Sequence, residues 1–311
     1  MTSLHGLFVP LITPFTADGA LATDALTRLA HRVLDAGATG LVALGTTAEP
    51  GALTPGERAR VLDICTTVSA ERGTPLIVCV SGTATAAAVA AIDALPVEPA
   101  AVLSVVPYYV RPSEEGVIAH FAELAAHSPV PVLVYDVPYR TARPLTGDTL
   151  VRLAAIPNIA GFKHSVGGVD AASVELLVRA GADTTVLCGD DRFASALLGL
   201  GAHGGILAAA NVAPAAYADL VAAWHAGDLA RARALGHRLD ALGGALFAEP
   251  NPTVIKAVLA AQGHIPSAAV RLPLLPATEQ STTAALAAAA LARDDTTTRS
   301  ALVDALSDHE Q

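Results

Sequence analysis

Lysine is rare in this chain, and its rarity draws attention to the two positions that carry it. Of the 19 basic residues, 17 are arginines and two are lysines, Lys163 and Lys256. An arginine side chain stays protonated, whereas a lysine amine can lose its proton and act as a nucleophile. Genomic base bias alone can make lysine scarce, so the count only indicates where covalent amine chemistry is possible.

Polar side chains with complementary chemistry follow several short apolar segments. Three of the five tyrosines and one of the two lysines lie at or just after the ends of such segments. In chain order, the segments and these residues are 40–44 with Thr46 and Thr47, 101–106 with Tyr108 and Tyr109, 131–135 with Tyr135, and 159–163 with Lys163.

This combination of residue types suits imine chemistry. An ordinary lysine has a pKa of about 10.4, and desolvation lowers that value and so frees more of the amine to attack a ketone. Making the imine also requires a group that gives and takes protons beside the nitrogen, which a tyrosine hydroxyl linked to a threonine and a second tyrosine can supply. The amides of a Gly-Thr-Thr turn entering a helix can hold a substrate carboxylate. The residues therefore predict Schiff-base catalysis on a keto acid without a metal or other cofactor.

Each feature also has a purely structural interpretation. Gly45-Thr46-Thr47 can be an ordinary turn before a helix, Tyr108-Tyr109 can be an aromatic lid, and Lys163 can extend from a strand end to solvent. For Asp190-Asp191 an N-cap of the following helix is the favoured interpretation. His164 and His203 have no partners at metal-ligand spacing, so we expect structural roles for them. The joint pattern is more specific than any of its parts.

Eight short apolar segments alternate with stretches of helical periodicity. Near-continuous apolar strands separated by helices indicate a parallel sheet covered by helices, and eight such units favour a closed (β/α)₈ TIM barrel over an open doubly wound sheet. In such barrels the loops after the strands build the active site. The predicted strands are 7–12, 40–44, 75–80, 101–106, 131–135, 159–163, 184–188 and 203–207.

After the eighth segment the pattern becomes helical throughout. Residues 212–226 are predicted to close the barrel, and 229–246, 252–263 and 278–292 to form helices of an extension. We therefore divide the chain into a catalytic barrel at 1–226, a C-terminal helical extension at 227–295 and a polar, mobile tail at 296–311.

Composition limits the possible partners and compartment. A net charge of −10 argues against binding a nucleic-acid backbone. No stretch is apolar for long enough to span a membrane, and the N-terminus has no secretory pattern. Cys65, Cys79 and Cys188 are widely spaced within apolar segments, which suits reduced thiols in the cytoplasm.

Nine short motifs, in order, carry a resemblance to a known family. Over about residues 5–295 the chain resembles the dihydrodipicolinate synthase / N-acetylneuraminate lyase family of pyruvate-dependent aldolases. The motifs are LFVPLITPF, GTTAEP, VPYYVRP, YDVPYRT, GFKHS, CGDD, GILAAANV, EPNP and RLPLLP.

The resemblance implies a role for each of these polar residues. Lys163 would form the Schiff base with pyruvate, Tyr135 would shuttle protons, and Thr46 with Tyr109 would complete the relay. Thr46 and Thr47 would also hold the pyruvate carboxylate. Tyr109 would be lent to a neighbouring subunit, so a homodimer or a dimer of dimers is expected. We also assign Gly189 and Ile206, at the ends of the seventh and eighth segments, to substrate binding.

Arg140 distinguishes between possible acceptor aldehydes. It stands two residues after Pro138, as in family members that bind the carboxylate of aspartate-4-semialdehyde, and a guanidinium suits a carboxylate. Arg140 can instead be a structural partner of an acid. Ala48, Asp136 and Ala142 depart from the usual residues and keep open a pyruvate-dependent aldolase or dehydratase for a 2-keto-3-deoxy acid. A third interpretation is a barrel that binds a keto acid without turnover.

The segment after the third predicted strand bears on regulation. In lysine-inhibited members of the family, an amide and a carboxylate in and after this loop clasp the inhibitor at the dimer interface. Here residues 81–90 contain no Asn, Gln, Asp or Glu. We therefore expect weak inhibition by lysine or none.

Overall fold

The fold is a closed barrel of parallel strands, as predicted. The computed structural model describes residues 4–181 and 183–293. Within them, eight strands pair in chain order, and β8 returns to pair with β1. Their bounds are β1 Gly6–Pro10, β2 Gly40–Ala43, β3 Leu76–Cys79, β4 Ala101–Val105, β5 Val132–Asp136, β6 Ile159–His164, β7 Thr185–Cys188 and β8 Gly204–Ile206. Every predicted strand is present, with its ends moved by at most two residues.

Helices alternate with these strands, and after β8 the remaining described elements are all helical. The helices of the described residues are α1 Thr23–Asp35, α2 Pro55–Arg72, α3 Thr85–Asp93, α4 Glu114–His127, α5 Pro138–Thr141, α6 Gly147–Ala154, α7 Ala171–Arg179, α8 Ala194–Gly199, α9 Pro214–His225, α10 Leu229–Leu246, α11 Thr253–Ala261 and α12 Glu279–Arg293. No helix among them is long and apolar enough to cross a membrane.

Two layers of apolar side chains hold the barrel and its helices together. Alternate residues along each strand point in opposite directions, so one set fills the barrel and the other packs under the helices. Phe8, Val42, Leu133 and Leu187 belong to a cluster inside the barrel, whereas a larger cluster joins the strands to the helices. The floor of the barrel is therefore a packed core beneath the strand ends.

Local signals in the sequence start and end several helices. Thr54 and Glu57 form a reciprocal capping box at the start of α2, and Thr146 caps α6. Gly73 ends α2 in the left-handed conformation at φ 60°. Helix α7 ends differently, because Ala180 at its C-terminus has an extended backbone conformation.

The residues after the barrel form the expected helices. Helix α9 packs on β1 and closes the barrel, while α10 packs on α9 and α12. The division into a barrel, an extension and a tail stays a prediction. The tail at 296–311 lies outside the described residues.

Candidate active site

The central feature of the barrel mouth is a lysine beside a tyrosine on neighbouring strands. Lys163 on β6 pairs in register with Tyr135 on β5. The Lys163 Nζ lies 4.1 Å from the centroid of the Tyr135 ring. Lys163 is only 6% exposed, so it does not extend to solvent as the structural interpretation required. A buried amine that lies against a tyrosine ring suits imine formation, since the hydroxyl of that tyrosine can carry protons.

A bulge in β6 sets this register. Ile159 pairs with Val132 but Gly161 pairs with Leu133, so β6 carries one extra residue at this point. If the pairing ran on from Ile159 without the bulge, Lys163 would lie opposite Asp136 instead of Tyr135. A Cβ on Gly161 would lie 1.9 Å from the Thr185 carbonyl oxygen, so only glycine fits here.

Gly189 leaves the space that the Lys163 side chain occupies. A Cβ at this position would lie 3.0 Å from Lys163 Cε and 2.8 Å from Ser165 Cβ. Ile206 is buried in the inner barrel cluster together with Tyr135 and Leu187. These two predicted residues therefore lie beside and beneath the reactive pair.

The Gly-Thr-Thr sequence forms a tight turn after β2. Thr46–Ala48 is a 3₁₀ turn closed by a 2.9 Å hydrogen bond from the Ala48 amide to the Gly45 carbonyl. We expected this turn to lead directly into a helix, and that is wrong. Glu49 takes a left-handed conformation, and a second 3₁₀ turn at Pro50–Ala52 lies between the first turn and α2.

One cavity joins three of the predicted site residues. It has a volume of about 870 Å³, and Thr46, Tyr135 and Arg140 all line it. Lys163 does not line it, but its amine lies against the Tyr135 ring, which does. A volume of this size is typical of sites that bind small molecules.

Tyr109 is the predicted residue that a single chain does not bring to the site. Its side chain is 88% exposed, and its backbone has a φ of 68°. Arg111 is also left-handed, at φ 46°. Such conformations are rare outside glycine, and they cluster at functional sites where surrounding contacts maintain them.

Three loops meet at a hydrogen-bonded cluster that no sequence motif predicted. Asp190 accepts from the Ser165 hydroxyl at 2.7 Å and from the Gly167 amide at 2.6 Å. The Tyr139 hydroxyl donates to Asp190 at 3.4 Å, and the Arg140 guanidinium lies 5.7 Å from the Tyr139 ring centroid. Although the Tyr139 side chain is 58% exposed, desolvation of its hydroxyl and the neighbouring Asp190 charge raise the pKa of Tyr139 to about 12. The cluster therefore ties the Arg140 loop to the loops after β6 and β7.

The expected N-cap role of Asp190-Asp191 is wrong. The Asp190 side chain makes no capping bond to the 3₁₀ turn that follows it, because Ser165, Gly167 and Tyr139 occupy its oxygens. Asp191 accepts from the Ala209 amide at 2.6 Å. Burial raises the pKa of the Asp191 carboxyl to about 7, against the effect of that hydrogen bond. In the sequence, only the position of Asp191 shortly after a strand pointed to this buried carboxyl.

His164 and Asp136 form the next pair on the same two strands, and they face away from the barrel mouth. His164 Nδ1 lies 3.3 Å from Asp136 Oδ2, and its Nε2 lies 2.8 Å from the Ser173 hydroxyl on α7. This placement agrees with a structural role for His164.

The second lysine is fully buried and does not line the cavity, although its partner Glu49 does. Lys256 has no exposed surface, and its Nζ is engaged by Glu49 at 2.5 Å and the Ala269 carbonyl at 2.8 Å. Burial lowers the pKa of Lys256 to about 8, and the Glu49 charge opposes that fall. An amine enclosed in this way does not meet a substrate, which leaves Lys163 as the candidate nucleophile.

Comparison with known proteins gives a consistent result. A model of the dihydrodipicolinate synthetase family matches residues 3–291. A 4-hydroxy-tetrahydrodipicolinate synthase of Neisseria meningitidis serogroup B is 39% identical over 277 residues, which are 89% of this chain and 94% of that protein. A protein of the same name from Sorangium cellulosum is 41% identical over 280 residues, covering 89% and 92%.

A solved structure agrees in fold. The chloride-inhibited dihydrodipicolinate synthase from Acinetobacter baumannii, crystallised with pyruvate, superposes with a TM-score of 0.87 at 34% identity. The match covers 93% of this chain and 99% of that one.

Proposed function

This chain belongs to the dihydrodipicolinate synthetase family, and from that membership and the barrel mouth we propose that it condenses pyruvate with aspartate-4-semialdehyde to give 4-hydroxy-tetrahydrodipicolinate. The observation that carries the proposal is the buried Lys163 amine beside the Tyr135 ring. Relatives that carry the name of this synthase, and one crystallised with pyruvate, support the choice of substrates.

The proposed reaction begins at Lys163. Its unprotonated Nζ attacks C2 of pyruvate, and the carbinolamine loses water as the Tyr135 hydroxyl supplies a proton to the departing oxygen. Loss of a proton from C3 turns the imine into an enamine, whose C3 then attacks the aldehyde carbon. The amine of the aldehyde substrate finally attacks the imine carbon, which closes the ring and releases Lys163. The protonated imine accepts the electron pair when C3 loses its proton, and the enamine nitrogen returns it when C3 attacks the aldehyde, so we propose that no metal or organic cofactor takes part.

Binding of the two carboxylates is divided between two loops. In this proposal Thr46 and Thr47 hold the pyruvate carboxylate, while Arg140 binds that of the aldehyde. Thr46 and Arg140 line the same cavity as Tyr135, which supports this division. Gly189 and Ile206 shape the space around the imine.

The exposed position of Tyr109 supports a proposed homo-oligomer. In a dimer Tyr109 would enter the site of the neighbouring subunit and complete the relay through Thr46 and Tyr135. Helix α7 also has exposed apolar residues, since Val174 is 42% and Val178 is 76% exposed. This apolar surface supports a second interface and so assembly into a dimer of dimers. We place the enzyme in the cytoplasm, where its three free thiols would stay reduced.

Removing the Arg140 guanidinium tests the identity of the acceptor. Arg140→Ala should raise the KM for aspartate-4-semialdehyde about 30- to 150-fold, because a charge-assisted pair in a partly desolvated site contributes roughly 2–3 kcal/mol. The KM for pyruvate should change far less. Steady-state kinetics with each substrate varied in turn measures both values.

A matched control for this variant is Arg152→Ala on α6. Arg152 pairs with Glu115 at 2.6 Å and does not line the cavity. It should leave both KM values near those of the unmodified enzyme. Equal effects of Arg140→Ala on the two substrates would mean that Arg140 is structural, and a screen of uncharged sugar-derived aldehydes would then identify the acceptor.

L-Lysine should inhibit this enzyme weakly or not at all. The cavity continues past Ser81 and Arg58, which offer an ammonium group no carboxylate, and Glu49 is already bound to Lys256. Desolvating an unpaired charge costs several kcal/mol. Initial rates measured in millimolar L-lysine should stay close to those without it. Partial inhibition in the micromolar range would show that other residues bind the ammonium.

A further inference from the structure

The turn that we propose to hold the pyruvate carboxylate ends in a rare backbone conformation. Glu49 follows Thr46–Ala48 directly and has φ 54° and ψ 44°. Residues with a Cβ seldom adopt this left-handed conformation, and it persists only where other contacts hold it. We therefore expect the contacts of the Glu49 side chain to stabilise the turn.

Those contacts come from the C-terminal extension. Lys256 Nζ on α11 donates to Glu49 Oε1 at 2.5 Å, and the Arg271 amide donates to Oε2 at 3.1 Å. The side chains of Lys256 and Glu49 are 0% and 3% exposed. Both carboxylate oxygens are thus held by residues more than 200 positions away in the chain.

Lys256 is itself fixed by further contacts. Its Nζ donates to the Ala269 carbonyl at 2.8 Å and lies 4.0 Å from the Phe15 ring centroid. A lysine with contacts on several sides has little freedom to move, so it can act as a rigid support. The same extension reaches the turn at a second point, where Asn251 Nδ2 donates to the Thr47 hydroxyl at 3.1 Å.

We propose that Lys256 is a positioning residue for pyruvate: through Glu49 it fixes the turn whose Thr46 and Thr47 receive the pyruvate carboxylate. This proposal rests on the proposed function, because it takes the turn to be the carboxylate site. In this proposal the helical extension is part of the pyruvate site, and Asn251 stabilises the same turn more weakly through Thr47.

The test is a titration of imine formation with pyruvate. Wild-type protein and variants are incubated with increasing pyruvate, reduced with borohydride and analysed by mass spectrometry for modification of Lys163. The variants are Lys256→Met, Asn251→Ala and the double change Glu49→Gln/Lys256→Met. The double change removes both buried charges, so it leaves no unpaired ion to destabilise the fold.

We expect the half-saturating pyruvate concentration to rise about tenfold in Lys256→Met and in the double variant, a loss of about 1.4 kcal/mol in binding. Asn251→Ala should give a smaller rise in the same direction. The KM for the aldehyde should stay within about twofold, since in the proposed site Arg140, on a different loop, holds the aldehyde carboxylate. If Lys256→Met does not fold, the double variant and Asn251→Ala still test whether the extension positions the turn.

Asp240→Asn provides a matched control. Asp240 on α10 pairs with Arg192 at 2.9 Å, so it is another ion pair between the extension and the barrel, but it does not touch the turn. It should leave the pyruvate titration unchanged.

The outcomes separate the two proposals. Trapping on wild-type Lys163 with no change in half-saturation for the double variant and Asn251→Ala would overturn the role of Lys256 alone. An equal rise for pyruvate and aldehyde would also overturn it, because general loosening of the fold would then be the cause. Absence of trapping on wild-type Lys163 would overturn the proposed function and this inference with it.

Discussion

Lys163→Arg should abolish turnover while the barrel stays folded. Arginine keeps the positive charge but supplies no nucleophile, and removing a covalent nucleophile costs on the order of 10⁴- to 10⁶-fold in kcat. A coupled steady-state assay measures the rate, and a thermal melt checks the fold.

Lys163→Ala is a second variant that avoids the larger guanidinium in the space beside Gly189. Both variants should be equally inactive if the amine is what matters. Residual activity above about 1% of wild type in either would be too high for the loss of a covalent nucleophile. It would mean that imine formation takes place elsewhere or not at all.

Removal of a single hydroxyl from Tyr135 or Tyr109 should have the next largest effect. Each Tyr→Phe change keeps the ring, and the loss of a general acid–base group costs about 10²- to 10⁴-fold in rate. Because each change keeps the aromatic ring, both variants should melt close to the wild-type temperature. Losses below about threefold for both variants would indicate that the two rings only pack.

Mixing subunits tests where Tyr109 acts. If it enters a neighbouring site, a dimer that contains one Lys163→Ala chain and one Tyr109→Phe chain has one complete site. Activity should therefore appear after the two inactive proteins exchange subunits. A mixture of Lys163→Ala with Tyr135→Phe is the control, since both residues lie in the same chain's site and exchange restores neither. Equal activity in the two mixtures would contradict a shared site.

The sequence predicted the fold because its strands are short, apolar and regularly spaced. Buried parallel strands need apolar residues on both faces, and such segments stand out from amphipathic helices. The same reasoning predicted Thr46, Tyr135 and Lys163 at one end of the barrel, since loops after parallel strands share an edge. The structure brings Tyr135 and Lys163 into contact and places Thr46 in the cavity that Tyr135 lines.

What the sequence did not predict depends on register and on distant parts of the chain. Lys163 lies opposite Tyr135 because of a bulge near Gly161, and an isolated glycine in a strand only hints at such a bulge. The Glu49–Lys256 pair joins residues separated by 207 positions, which no local pattern reveals. The rarity of lysine pointed to Lys256, but it did not indicate that the residue supports a turn.

Trapping with pyruvate and borohydride shows which lysine forms the imine. Reduction converts an imine into a stable secondary amine, so the modified lysine can be located by peptide mass spectrometry without an aldehyde substrate. We expect a pyruvate-derived mass on the peptide that contains Lys163 and none on the peptide that contains Lys256. Modification of Lys256, or of neither lysine, would rule out catalysis through an imine on Lys163.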